Sequence, residues 1–341
     1  MAGNHSTPDF TTLADLASAR VGGRALLAND DFFAPRSNLV KAEPAVFIPG
    51  KFTARGKWMD GWESRRRRTP GHDWCVIALG MRGVVRGVDV DTSFFTGNFP
   101  SHCSIDGLDT TRAVGPALAA REAAPWVALL PKSPLAGNSH NYFDIAGPGS
   151  AKRWTHLRLN IFPDGGVARL RAYGEVAVDW RAASRRAAAV DLASIRNGGL
   201  VLGASDMHFG AKDNMIMPGR ARNMGDGWET RRRRGPGHDW AIVRLGAPGV
   251  VSRIEIDTNH FKGNYPDSAS IDACLAPGAA LPELASAPWQ ELLPQTKLNA
   301  HHRHFFSREL RHIGRVSHVR LNIFPDGGVS RLRVHGTVAA D

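Results

Sequence analysis

A carboxylate, an imidazole and four consecutive guanidinium groups fall within one fifteen-residue stretch, and the stretch occurs twice. Residues 60–74 read DGWESRRRRTPGHDW and residues 226–240 read DGWETRRRRGPGHDW, identical at thirteen of fifteen positions. Glu63 and Glu229 are candidate general bases, and His72 and His238 candidate acids, because a carboxylate close to an imidazole can pass protons near neutral pH. The Pro-Gly step before each histidine predicts a turn that presents the ring at a strand end. In the competing reading, each His with the following Asp73 or Asp239 is a turn-stabilising hydrogen bond. The arginines suggest anion capture, since a guanidinium grips a carboxylate with two parallel hydrogen bonds. In an extended segment Arg65 and Arg67 share one face, so these two, with Arg231 and Arg233, are the candidate clamps. Ion pairing of the same groups with Glu63, Asp73, Asp89 or Asp91 fits the pattern equally well.

Two further sets of residues carry weaker signals. Asn98 in TGNFP and Asn264 in KGNYP follow an acidic strand, and Asn160 and Asn322 precede a P-D-G-G turn. They are polar contacts to a ligand or, by default, turn-capping residues. The second repeat also holds histidines where the first has other residues: His208 for Phe32, His260 for Phe94, and His301, His302 and His304 for Asn138, Ser139 and Asn141. A shared fold does not require them, so a divalent metal on His260, His302 and His304 is an expectation to check, although no standard metal-ligand spacing is present. Solvated or hydrogen-bonded histidines are the default.

The elements that must position these groups come from a duplication spanning nearly the whole chain. LADLASARVGG at 13–23 recurs as AVDLASIRNGG at 189–199, and residues 156–171 match 318–333 at fourteen of sixteen positions. Asn38 and Asp60 correspond to Asn214 and Asp226, so the first repeat carries ten extra residues between them. The expected organisation is a tail at 1–12, a first repeat at 13–178, a short helix or linker at 179–188 rich in Ala and Arg, and a second repeat at 189–341. Each repeat is domain-sized. Val88-Asp89-Val90-Asp91 and Ile254-Glu255-Ile256-Asp257 alternate as half-buried strands do. Leu157, Leu159 and Ile161 alternate inward, and the P-D-G-G that follows predicts a hairpin with the strand that resumes at Val167. One helix per repeat is expected, near 13–20 and 189–196. Many short strands with 36 glycines and 21 prolines predict an all-β chain of two tandem jelly-roll sandwiches.

Bulk composition narrows the classes. The 341 residues suffice for two cores, and no apolar run is long enough to span a bilayer. The first twenty residues lack the basic and apolar segments of a secretory signal. Three unpaired cysteines, Cys75, Cys103 and Cys274, suit a reducing cytoplasm. The charge is +11, with 43 Lys and Arg against 32 Asp and Glu. Much of it sits in the two short arginine runs, which fit a small anion better than the backbone of a nucleic acid.

With these motifs in view, the chain resembles the allantoicase family, the allantoate amidinohydrolases of purine breakdown. The resemblance rests on Phe32-Phe33-Ala34-Pro35, both DGWE-[ST]-RRRR-x-PGHDW blocks, DTSFFTGNFP at 91–100, LLPKSPL at 129–135, NMGDGWE at 223–229, HFKGNYP at 260–266 and both NIFPDGGV segments. It implies two jelly-roll modules similar to galactose-binding domains and hydrolysis of allantoate to ureidoglycolate and urea. Residue roles do not come with it. On the residues alone, arginines of one run clamp the carboxylate, Glu63 or Glu229 is the base, His72 or His238 the acid, and an asparagine such as Asn264 holds a ureido carbonyl. The alternative is a non-catalytic β-sandwich module binding carbohydrate or small anions. Metal dependence and assembly into a homo-oligomer stay open at this point.

Overall fold

The computed structural model describes residues 7–122, 125–186 and 188–338, with the side chains of Ser184 and Arg186 left aside. Positions 1–6 of the expected tail, 187 of the expected linker and 339–341 at the chain end lie outside the described residues. The chain divides into two compact units, Met1–Ala177 and Val178–Asp341.

In the first unit one long strand, Asp73–Asp91, organises everything else. Its first half pairs antiparallel with Arg24–Ala28 and Trp154–Phe162. Its second half pairs with Arg169–Val176 and His140–Asp144. The pairing with Trp154–Phe162 skips from Ala78 to Gly83, where the strand turns from one layer to the other. His102–Leu108 and Val127–Pro134 extend the first layer, and Ala14–Asp15 extends the second. Cys75, Ile77, Cys103, Ile105, Leu157, Leu159 and Ile161 are fully buried and stand in register across three strands, so they form one apolar layer of the core. At about 25 cal/mol per Å² of apolar surface, burial of such side chains is the main stabilising term. The second unit repeats the plan around Asp239–Asp257. Both units are all-β jelly-roll sandwiches.

Three local expectations are corrected. The segments flanking P-D-G-G do not form a hairpin. Trp154–Phe162 belongs to one layer and Arg169–Val176 to the other, each paired with a different half of the long strand. Alternation plus a turn reads the same for a hairpin and for a connection that changes layers. The helices expected near 13–20 and 189–196 are instead short strands, Ala14–Asp15 and Val190–Asp191, followed by 3-10 turns. The Asp15 carboxylate accepts from the amides of Ala17 and Ala172, and Asp191 does the same with Ala193 and Val334, which ties each segment to the sheet in place of a helix. Phe10, within the expected tail, is buried in the 3-10 turn Asp9–Thr12. The join, by contrast, is the short helix that was one of its two expected forms, Trp180–Arg186.

The acidic strand ends are also not half-exposed. Asp89, Asp91, Glu255 and Asp257 are all buried. Polar partners cover their outward face: Asp89 meets His140 Nδ1 at 2.7 Å and Glu255 pairs with Arg303 at 2.7 Å, and nearby Arg169, almost wholly buried, binds Asp60 at 2.7 Å, together with the carbonyls of Glu43, Pro44, Asp60 and Ala168. Arg331 and Asp226 reproduce the pair in the second unit at 3.2 Å. Removing Arg169 leaves Asp60 with Lys41 and strips four carbonyls of their donor. Arg169→Ala is therefore expected to lower unfolding free energy by about 3–5 kcal/mol in a urea titration, and a loss under 1 kcal/mol would contradict this account of the outer face.

Candidate active site

The site begins with a short strand, Trp62–Glu63, laid against Gly166–Val167. Trp62 is fully buried and its indole donates to the Asp30 carbonyl at 2.8 Å. Glu63 is fixed on its other side by backbone bonds with Ala34. The duplicated tryptophan thus anchors the strand and leaves the neighbouring carboxylate pointing away from the core.

That carboxylate is met by the loop that follows the long strand. The Asn98 amide donates to Glu63 Oε1 at 2.7 Å, and the Asn98 carbonyl accepts from Gly166 N at 2.8 Å. The P-D-G-G glycines permit this approach. A Cβ at Gly166 would lie 2.0 Å from the Phe95 ring, and one at Gly165, where φ is +138°, would lie 2.7 Å from the Asn98 carbonyl. The second unit repeats the arrangement: Asn264 donates to Glu229, and Gly328 N donates to the Asn264 carbonyl. Sequence spacing alone had not joined the glutamate to the asparagine.

Around Glu63 a pocket of about 390 Å³ opens, a size that fits a small metabolite. Its lining is Glu63, Asn98, Lys57, Phe33, Phe94 and Met59, with Gly56, Thr96 and Gly97. Phe94 holds a φ of +69°, a conformation bulky residues rarely adopt, and its amide is secured by Asn138 Oδ1 at 2.8 Å. Burial raises the Glu63 carboxyl above its ordinary value, against the opposing pulls of the Asn98 hydrogen bond and the Lys57 charge. A carboxyl shifted in that direction is suited to alternate between proton acceptor and donor.

The other residues singled out from sequence lie elsewhere. Arg67 binds Asp73 through Nε and Nη2, at 3.1 and 2.8 Å, and Arg233 binds Asp239 through Nη2 alone. Arg65 pairs with Asp30 at 2.7 Å and Arg231 with Asp206 at 3.4 Å, both largely exposed. The ion-pairing alternative describes these contacts, with Asp30 and Asp206 as the partners not foreseen. His72 and His238 are half-buried and rest on the rings of Phe162 and Phe324, 4.6 and 4.7 Å between centroids, instead of lining the pocket. Asn160 and Asn322 lie on the outer face of their sheets and donate to Asp106 and Asp272, each at 2.8 Å.

Two of the extra histidines of the second unit, His301 and His304, do the work of asparagines. His301 Nδ1 accepts from the amide of His260, the position that holds φ +72°, as Asn138 does for Phe94. His304 bridges Asn299 N and the Ile256 carbonyl, as Asn141 bridges Ala136 N and the Val90 carbonyl. A neutral imidazole, like an amide, offers one donor and one acceptor. His260 Nε2 meets the Ala221 carbonyl, and the His302 ring stands 4.9 Å from that of His304. With both nitrogens of His304 used by the backbone, no lone pair on it is left for a metal. Among the described residues no group of three or more His, Cys, Asp or Glu is placed to hold a metal ion.

Comparison with known proteins decides the family. The allantoicase repeat pattern matches residues 14–177 and again 190–339. The chain belongs to the allantoicase family. It is 53% identical to a probable allantoicase of Burkholderia mallei, over 98% of this chain and 97% of that protein, and 50% identical to one of Ralstonia nicotianae over the same shares. Among solved structures, the crystal structure of allantoicase from Saccharomyces cerevisiae superposes with a TM-score of 0.81 at 33% identity, covering 96% of each chain. Membership in this hydrolase family sets aside the non-catalytic module read as an alternative from sequence.

The residues that sequence reasoning missed are Lys57 and Met59. Their sister positions hold Asn223 and Gly225, so the duplication did not direct attention to them. The geometry yields a spectroscopic expectation. By carboxyl-carbon NMR, Glu63 titrates above the ordinary glutamate range, and Asn98→Ala, which removes a donor to the ionised form, moves it higher still. A downward move would contradict the arrangement.

Proposed function

We propose that this protein hydrolyses allantoate to ureidoglycolate and urea, as its family name indicates, and that the Glu63 pocket carries the chemistry. The observation that supports the site is a half-buried carboxylate with a raised pKa, held by an amide and facing a cavity that also contains a cation.

Allantoate is a small carboxylate whose central carbon bears two ureido groups. One carboxyl can serve both halves of the reaction. Glu63 takes the N–H proton of one ureido group. The nitrogen lone pair forms a C=N bond as the C–N bond to the other group breaks, and Glu63 returns the proton to the departing nitrogen, which leaves as urea. Glu63 then takes a proton from water as its oxygen adds to the C=N carbon, and gives that proton to the nitrogen, completing ureidoglycolate. This scheme assigns the acid role to Glu63 in place of His72. Asn98, with one amide hydrogen on Glu63, has a second for a ureido carbonyl. Holding the two ureido groups in line with one carboxylate supplies much of the rate.

The arginine runs belong to the fold in this reading, which leaves little of the basic charge for a nucleic acid. No described helix is long and apolar enough to cross a membrane. Cys75, Cys103 and Cys274 are free and buried, and burial pushes the Cys103 thiol up to about 12, which suits our placement of the protein in the cytoplasm.

The decisive comparison is Glu63→Gln beside Glu229→Gln, assayed by urea release from allantoate. Loss of a general acid–base group costs about 10²–10⁴ in kcat, and that loss is expected for Glu63→Gln. If Glu63→Gln keeps kcat near wild type, the base assignment is wrong.

A further inference from the structure

The two units share the glutamate–asparagine pair but not the wall in front of it. In the first unit that wall is the hairpin Phe52–Thr53 with Gly56–Lys57, inside the segment that the second repeat shortens. Aligned on DGWE, Lys57 corresponds to Asn223, Trp58 to Met224 and Met59 to Gly225. In the second unit Met224 Sδ lies 3.4 Å from the Asn264 amide, so the methionine caps the pair, and Glu229 is the more buried of the two glutamates.

Lys57 differs in kind from the arginines first considered for anion capture. Arg65, Arg67, Arg231 and Arg233 each have an aspartate within ion-pair distance. Among the described residues Lys57 has none, although it lines the pocket with Glu63. Its ammonium lies 4.6 Å from the centroid of the Phe47 ring, and Phe47 in turn stacks on Phe94 of the pocket wall at 5.9 Å. A cation over an aromatic face is held in place without being neutralised. An unpaired positive charge fixed at the mouth of a pocket with a carboxylate inside is complementary to a small molecule bearing an anion at one end and a proton to give at the other.

We propose that Lys57 seats the substrate's carboxylate and, because only the first repeat carries it, makes the first unit's pocket the working site of the chain. The proposal rests on the allantoate reading and names the specificity contact of that site. The carboxylate meets the ammonium at the mouth, which leaves the central carbon and its ureido groups beside Glu63 and Asn98. In the second unit the corresponding pair is capped, and Asn223 offers no charge.

The test uses the full chain with Lys57→Gln, Lys57→Arg and Asn223→Ala. Urea release is followed from allantoate and from its neutral amide, and titration calorimetry is run with N-carbamoylglycine, a carboxylate bearing a single ureido group. A charge-assisted contact of this kind is worth about tenfold to a hundredfold in affinity. Lys57→Gln is expected to raise KM for allantoate by that factor with kcat within about threefold, and to abolish the preference for allantoate over the amide. It should weaken N-carbamoylglycine by the same factor, Lys57→Arg should restore most of each loss, and Asn223→Ala should change neither. Unchanged KM and unchanged N-carbamoylglycine affinity in Lys57→Gln overturn the proposal, as does an equal loss in Lys57→Gln and Lys57→Arg. A wild-type chain that releases no urea refutes the allantoate reading instead, and the calorimetric comparison then decides the role of Lys57 alone.

Discussion

A carboxylate taken partly out of water must be held by a donor or give up its charge, and the hydrogen bond from Asn98 to Glu63 provides the hold. Much of the architecture near the site exists to make this bond. The buried Trp62 pins the strand that carries Glu63. The loop bearing Asn98 reaches it only because Gly165 and Gly166 leave room for the loop backbone and the Phe95 ring. The aromatic ring, the glycine step and the amide form one unit, and they recur as Phe261, Gly327–Gly328 and Asn264. Duplication has kept the device intact in both halves of the chain.

What stands in front of the device differs between the two units. In the first unit a hairpin brings an unpaired lysine and apolar walls to an open pocket. In the second a methionine lies on the amide. Burial raises the pKa of the single Glu63 carboxyl, while one amide and one lysine pull it down. Both halves of the proposed reaction ask for that, since the same group must accept and return a proton twice.

Much of this was legible in the sequence, for reasons that differ by residue. The two jelly rolls followed from alternating strands and from the repeat itself, and the inward set Leu157, Leu159 and Ile161 lies in the core. Glu63 and Asn98 each stood out because they were duplicated, though their contact, between residues 35 apart in the chain, is tertiary. Arg67 and Arg233 recur together with the partners they meet, Asp73 and Asp239, so repetition alone does not separate a clamp from an ion pair. His304 looked like a gained ligand because local sequence cannot show that an imidazole fills the hydrogen-bonding place of Asn141. Lys57 was overlooked for the opposite reason: its sister position holds Asn223, so no repetition marked it, and nothing local separates a pocket lysine from a solvated one.

The account's central claim is that the substrate occupies the first unit's pocket in one orientation. A crystal structure with a non-hydrolysable allantoate analogue tests this most directly. The account predicts the carboxylate at Lys57, a ureido carbonyl at Asn98 and a ureido N–H within hydrogen-bond reach of Glu63. An analogue bound instead against the arginine runs, or over Glu229 with the first pocket empty, would contradict it.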